Sequence, residues 1–390
     1  MSSDIPVADA TITWISGPVL RAKTHASFRI NEATLVGSKR LLGEVIRING
    51  NEAVIQVYED TTGLRPGDPL TGTGSQLSVR LGPGLLGTIF DGLLRPLAGL
   101  GPYVQPGIDQ RRGDRTFPFI PLAKPGEHLS PGAAFGAIHR TDARLQRCLV
   151  PPGLQGEVTR IADAGHYSEK MKICSLRDEA GDTRHISMSH HWPVRKPRPV
   201  AARIRVEGPL FTGQRILDSI FPLACGGRAA MPGGFGTGKT VLQETLAKWC
   251  DADVIIYVGC GERGNEMAGV LHEFPTLEDP RTGRPIMERT VIIANTSNMP
   301  VSAREASIYT AVTVGEYFRD QGMRVALMAD STSRWAEALR EVSGRLGELP
   351  SEAGYPAYLS SRLADFYERA AHVRTLCGQV GSLSIIGAVS

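Results

Sequence analysis

The 390-residue sequence predicts an α/β fold: a parallel sheet wound on both faces by helices, preceded by a small β-barrel and a second, inserted β-rich segment. Three observations carry this. The runs Val254 to Val258, Val291 to Asn295 and Val325 to Ala329 are apolar without alternation, as parallel strands buried on both faces must be. Helical stretches such as Ser302 to Arg319 alternate with those runs, which is the pattern of a doubly wound sheet. Between the apolar Ala229-Ala230-Met231 and an apolar-striped segment lies Gly233-Gly234-Phe235-Gly236-Thr237-Gly238-Lys239-Thr240, a full G-x-x-x-x-G-K-[ST] pattern in the strand–loop–helix context it requires.

Taken in order, the first ~75 residues read as all-β. Leu41 to Ile48 and Val54 to Tyr58 flank Asn49-Gly50, a strong hairpin signal, and Gly63 to Asp68 is a further turn cluster. A small barrel is predicted there. Residues 76–115, rich in Gly, Leu and Pro, read as a connector with short helical turns. Residues 116–200 carry short apolar runs punctuated by proline and read as the inserted β domain, leaving through the Pro-rich stretch Trp192 to Pro199. The α/β domain occupies 201–390. Its elements are a short buried strand ending at Met231, a helix from Val241 with Leu242, Leu246 and Trp249 on one face, the three apolar runs, and a last strand from Leu383 to Val389. Ser302 with Glu305 three residues later predicts a capping box on the helix that runs to Arg319.

Apolar content of 42% and charged content of 21% are those of ordinary globular proteins, and 44 Gly with 26 Pro imply many tight turns. A formal charge of +3 predicts no strong pull towards nucleic acid or anionic membrane. The local excess of Lys and Arg in 111–200 reads as a solvated face. The six cysteines form no Cys-x-x-Cys pair and have no zinc spacing with histidine, so the expected compartment is a reducing cytosol. Met1 to Pro6 is no charged-then-apolar leader, and no apolar run nears the ~20 residues of a spanning helix. Any membrane role is expected through partner subunits.

The candidate chemistry begins at the loop. Gly233, Gly234, Phe235, Gly236, Thr237 and Gly238 let backbone N–H groups turn inward around phosphate oxygens, with Val241 opening the helix whose positive end faces the anion. Lys239 supplies a point charge for the outer phosphates, and Thr240 a hydroxyl for Mg²⁺. Asp330 closes an apolar strand, where a nucleotide hydrolase places the carboxylate of the Mg²⁺ shell; a turn-forming role is the alternative. Glu262, in Gly259-Cys260-Gly261-Glu262-Arg263-Gly264, is positioned to orient the attacking water, or else is a solvated loop residue. Arg263 reaches either the γ-phosphate or Glu262. Arg334, a helical turn past Asp330, faces the site or an interface.

Several long motifs occur together: Tyr257 to Met267 (Tyr-Val-Gly-Cys-Gly-Glu-Arg-Gly-Asn-Glu-Met), Ser297 to Tyr309, Ala329 to Glu341, and Gly354 to Leu363. With the phosphate loop they closely resemble the catalytic A subunit of V-type/A-type rotary ATPases, over essentially the whole chain. The resemblance implies a RecA-like nucleotide domain. Residues 116–195 are similar to the extra domain that separates this subunit from its F-type and protein-export relatives, as well as from the B subunit. It implies an alternating heterohexamer with B subunits, ATP or ADP with Mg²⁺ at the A–B interfaces, and an arginine finger from the B subunit. It further implies central and peripheral stalks, and H⁺ or Na⁺ flow through a separate membrane sector, the chain sitting peripherally on the cytoplasmic side. Lys239, Thr240, Glu262, Arg263 and Asp330 take the phosphate, metal and water roles in that comparison. Thr237 departs from the Cys or Ala of many relatives, which removes any thiol control of the loop. Relatives continue past the equivalent of Ser390 with an aromatic that packs on adenine and a helical domain that touches the shaft, so a shortened chain is expected. A hexameric nucleic-acid translocase of the same fold, and a non-hydrolysing nucleotide subunit, are the competing classes. Aromatic content of 6% and weak charge speak against the first, and Lys239 with Glu262 against the second.

Overall fold

The structure, a computed structural model, describes residues 9–98, 105–107, 115–139, 145–234 and 236–390. The amino-terminal six strands, Ala10–Ser16, Val19–Thr24, Glu32–Val36, Leu41–Asn49, Glu52–Val57 and Pro69–Gln76, close into a barrel in the order first, second, fifth, fourth, third, sixth. Its interior is filled by residues such as Ile12, Leu20, Val45 and Ile55. The predicted hairpin turns on the two-residue loop Gly50-Asn51, flanked by the Asn49–Glu52 pair, with Gly50 in the left-handed region at φ 56°.

The inserted segment forms two four-stranded antiparallel sheets around Phe119, Phe135, Ile173 and Leu176. No helix forms among the described residues of 76–115, contrary to expectation. Ser78–Leu81 pairs with His190–Pro193, and Ile89–Phe90 adds a strand to the main sheet. A stretch so dense in glycine and proline sustains no helical hydrogen-bond run, and its backbone groups are satisfied by strand pairing instead.

The main sheet holds the predicted parallel strands: β1 (Arg228–Pro232), β2 (Val254–Glu262), β3 (Thr290–Thr296), β4 (Arg324–Asp330) and β5 (Val380–Val389), in the spatial order β1-β5-β4-β2-β3. Its helices are α1 (Lys239–Trp249), α2 (Gly264–Glu273), α3 (Val301–Arg319), α4 (Thr332–Arg345) and α5 (Leu359–Tyr367). Alternate residues of β2 serve opposite layers. Val254, Ile256 and Val258 pack with α3 and α4 residues such as Val312 and Trp335. Ile255 and Tyr257 pack with Leu246 of α1 and Met267 of α2. Helices on both faces are what make the strand uniformly apolar.

Two local expectations of burial fail. β1 pairs only with β5 and is half-exposed rather than buried. Trp249, at the end of α1, is 46% exposed, while Leu246 is buried and Leu242 partly so. A third failure is the capping box. α3 starts at Val301 with Pro300 as N-cap and no side-chain cap, Ser302 is buried in the first turn, and Glu305 is turned towards Arg195.

That last contact also corrects the reading of the basic stretch as a solvated face. Arg195 is half-buried between the barrel and α3. Its Nη2 lies 2.9 Å from Glu44 Oε2 and 2.9 Å from Glu305 Oε2, and the Tyr58 hydroxyl donates to Glu44. Arg198 pairs with Asp320 at 2.6 Å, and Arg369 with Glu316. α3 is buried from Ser302 through Arg319, so Glu305, Glu316 and Arg319 are held by ion pairs instead of water. All six cysteines are free thiols, and among the described residues no helix is long and apolar enough to cross a membrane.

Removing Arg195 strands two buried carboxylates. Arg195→Ala is expected to lower unfolding free energy by about 3–5 kcal/mol, read from the denaturant midpoint. Arg324→Ala, which loses the 44%-exposed partner of Asp251, is expected to cost under about 1 kcal/mol. Equal losses from the two would contradict the buried-cluster account.

Candidate active site

The strand order reverses between β4 and β2, the place where open α/β sheets bind ligands, and the loop and helix that follow β1 reach that point. The loop after β1 is anchored by the Gly233 N–H donating to Val389 O of β5 at 3.0 Å. Gly236 and Gly238 adopt φ 77° and 82°, which side chains resist. A Cβ on Gly233 would lie 2.5 Å from Thr237 Oγ1, whose hydroxyl donates to Gly234 O at 2.8 Å. Phe235 lies outside the described residues. Gly238 is the N-cap of α1 and brings no side chain to its first N–H groups, so these point to the cleft unshielded. Lys239 Nζ donates to the carbonyls of Gly233 (2.6 Å) and Gly234 (2.8 Å), folding over its own loop. Val241 is 64% exposed.

Thr240 and Asp330 come together directly. Thr240 Oγ1 donates to Asp330 Oδ2 at 2.8 Å, and the Tyr257 hydroxyl donates to the same oxygen at 3.0 Å. Asp330 is the last residue of β4, buried, and followed by a cis peptide to Ser331. Burial raises its carboxyl above the usual range, opposed by the hydrogen bonds from Thr240 and Tyr257. Tyr257 is fully buried, which holds its phenol well above the ordinary value, with the charge of Asp330 adding to the effect.

β2 runs further than its apolar core. It continues to Glu262, with a bulge between Cys260 and Glu262. Gly261 sits in that bulge at φ 74°, and a Cβ there would lie 2.7 Å from the Arg304 side chain and 3.1 Å from Arg334 Cβ. Glycine therefore lets the strand end bend and pack closely, which aims Glu262 at the cleft. Burial pushes the Glu262 carboxyl up to about 8, helped by the charge of Asp330 and a hydrogen bond and charge from Glu266, with Arg334 opposing. Arg263 is the N-cap of α2, and Arg334, in the first turn of α4, pairs with Glu337 at 3.0 Å.

These groups line one cleft of about 390 Å³. Of the residues the sequence singled out, it gathers Gly236, Gly238, Lys239, Thr240, Val241, Glu262, Arg263, Asp330 and Arg334. Gly233, Gly234 and Thr237 shape the loop behind it. The sequence reading missed Glu244 and Glu266 on its wall and Tyr257 behind it. A lone phenol inside an aliphatic strand was the available signal for Tyr257, since a buried hydroxyl needs a partner.

The donor set suits Mg²⁺ brought in on a nucleotide. Thr240 and Asp330 offer hard oxygens, and burial first, with the charge of Asp330 adding to it, raises the Glu262 and Glu244 carboxyls beside them. No group of three His, Cys, Asp or Glu side chains among the described residues forms an all-protein cage. Mg²⁺ is characteristically held by one or two protein oxygens plus phosphate and water.

Three family models match consecutive parts of the chain: the "ATP synthase alpha/beta family, beta-barrel domain" over 12–74, the "ATPsynthase alpha/beta subunit barrel-sandwich domain" over 108–195, and the "ATP synthase alpha/beta family, nucleotide-binding domain" over 213–390. The chain belongs to the ATP synthase alpha/beta family. It is 54% identical over 387 residues to the V-type ATP synthase alpha chain of Halothermothrix orenii, and 55% identical over 387 residues to the A subunit of the A-type ATP synthase of Methanopyrus kandleri. Both alignments cover 97% of this chain and 65% of the relative, so the chain spans just under two thirds of their length. Among solved structures, the assembled ATPase EscN of the enteropathogenic E. coli type III secretion system shares the fold, with a TM-score of 0.64 at 24% identity, covering 97% of this chain and 69% of EscN.

A carboxyl raised in the folded state takes up a proton on folding. Its stabilisation is full below the ordinary value of 4.5 and is lost as pH rises through about 8. Nucleotide-free protein should therefore melt at progressively lower temperature between pH 5 and 8, and Glu262→Gln should flatten that slope. Parallel pH profiles for the two proteins would show that Glu262 ionises normally.

Proposed function

We propose that this chain is the catalytic nucleotide-binding subunit of a V/A-type rotary ATPase, hydrolysing or synthesising ATP. The observation that carries this reading is the convergence of Lys239, Thr240, Glu262 and Asp330, from three separate strand ends, in one cleft. The names of the relatives support it. On this reading the chain divides into a barrel (1–75), a connector (76–115), the inserted domain (116–200) and the nucleotide domain (201–390).

The phosphates lie in the loop, held by N–H groups of the loop glycines Gly234, Gly236 and Gly238 and of the first turn of α1. Lys239 exchanges its two carbonyl partners for phosphate oxygens, a swap its flexible stem permits. Mg²⁺, when bound, neutralises charge developing on the β- and γ-phosphate oxygens. Thr240 and Asp330 are the residues that would hold it. Glu262 orients the attacking water, and its raised proton affinity suits it to receive a proton near neutral pH. Arg263 and Arg334 complement the γ-phosphate charge. A B subunit, alternating with this one in a heterohexamer, contributes the arginine finger. Central and peripheral stalks couple turnover to H⁺ or Na⁺ passage, placing the chain peripherally on the cytoplasmic face of a membrane.

In the assembled complex, Lys239→Ala is expected to abolish ATP turnover; turnover at the unsubstituted rate would overturn the assignment. Glu262→Gln should leave nucleotide affinity within about threefold while lowering kcat by roughly 10²–10⁴-fold, measured by equilibrium binding beside steady-state hydrolysis. The reverse pattern, lost affinity with retained chemistry, would remove Glu262 from the water-orienting role.

A further inference from the structure

We infer that Tyr257 is a positioning residue for the metal site: its buried hydroxyl fixes Asp330 Oδ2 so that the carboxylate is presented to the metal–nucleotide in a single orientation. The inference rests on the reading of Thr240 and Asp330 as the metal-holding pair. In the sheet, β2 and β4 pair in parallel with Tyr257 opposite Met328 and Gly259 opposite Asp330. Tyr257 and Gly259 are two apart, so they share a face, and Tyr257 stands diagonally across from Asp330. A diagonal neighbour is within reach of an aromatic side chain. Gly259 leaves the intervening position without a side chain of its own, and Met267 fills that space.

The ring is locked. Tyr257 is fully buried in the layer between the sheet and α1–α2, with the Phe274 ring 5.5 Å away. Its hydroxyl reaches Asp330 Oδ2 at 3.0 Å, on the oxygen that also accepts from Thr240 at 2.8 Å. The two donors differ in kind. Thr240 opens the nucleotide-facing turn of α1 and is itself called upon by the ligand, whereas Tyr257 has no exposure to the cleft and is not. When Thr240 turns to the metal, Tyr257 remains as the donor that holds the carboxylate. Outer-shell partners of metal-ligating groups generally govern affinity in this way.

The test uses the full chain, with Mn²⁺ as the probe, followed by its electron paramagnetic resonance in the presence of ADP, and metal-free ADP binding by calorimetry. Tyr257→Phe keeps the ring and is expected to raise the Mn²⁺ concentration for half-saturation about tenfold, with metal-free ADP affinity unchanged. In an Asp330→Asn background the same substitution should have no further effect, because its influence passes through that carboxylate. If Asp330→Asn weakens Mn²⁺ binding while Tyr257→Phe leaves it at the unsubstituted value, the Tyr257 role falls and the site reading stands. If Asp330→Asn itself leaves Mn²⁺ binding intact, the site reading fails and takes the inference with it. Equal loss of metal-free and Mn²⁺-dependent ADP binding in Tyr257→Phe would mark the hydroxyl as structural only.

Discussion

Thr240 and Asp330 are 90 residues apart in the chain, and their side chains meet at 2.8 Å because a parallel sheet brings the carboxyl ends of its strands to one edge. That edge constrains everything else in the site. α1 must start there, with its unpaired N–H groups outward, for the loop to arch over an anion. β4 must end there, so that the first polar residue after an apolar run is the acid. β2 must end there too, and it overshoots by a bulge at Gly261, which delivers Glu262 to the wall of the same cleft.

Crowding acids at such an edge costs free energy, and the direction of the shifts records it. Asp330, Glu262 and Glu244 are all pushed towards their neutral forms, each by burial first. Lys239 is meanwhile engaged with its own loop carbonyls. A phosphate chain and its cation, as proposed above, would relieve both conditions at once: the lysine would gain oxygens and the carboxylates positive charge. On the proposed reading, the site is arranged around charge that a nucleotide would bring, and this links the energetics of the protein alone to the chemistry proposed for it.

A second buried cluster ties the three structural layers together. Arg195 leaves the inserted segment, crosses to Glu44 of the barrel and ends on Glu305 of α3, a helix that packs against β2 and β4. Because α3 is buried along almost its whole length, Glu305 and Glu316 take fixed partners from other parts of the chain, Arg195 and Arg369. The barrel and the main sheet are held in register through such pairs, and not through apolar contact alone.

The phosphate loop, Lys239, Thr240, the parallel strands and the acids Glu262 and Asp330 were legible in the sequence, because each depends on local pattern: spacing in a loop, or an apolar run that stops at an acid. Chain-distant partnerships were not. The capping box at Ser302 and Glu305 has the right letters, yet Glu305 is claimed by Arg195, 110 residues away, since a buried carboxylate gains more from a guanidinium than from a backbone N–H. The basic stretch that reads as solvated is partly interior for the same reason. Tyr257 reads as one more apolar strand residue, and only the pairing of β2 with β4 turns its hydroxyl towards Asp330. The sequence by itself determined which elements form and which residues carry charge or hydroxyls at their ends. The tertiary structure alone decided which of those groups meet, because hydrogen bonds and ion pairs depend on distances of about 3 Å that spacing along the chain does not encode.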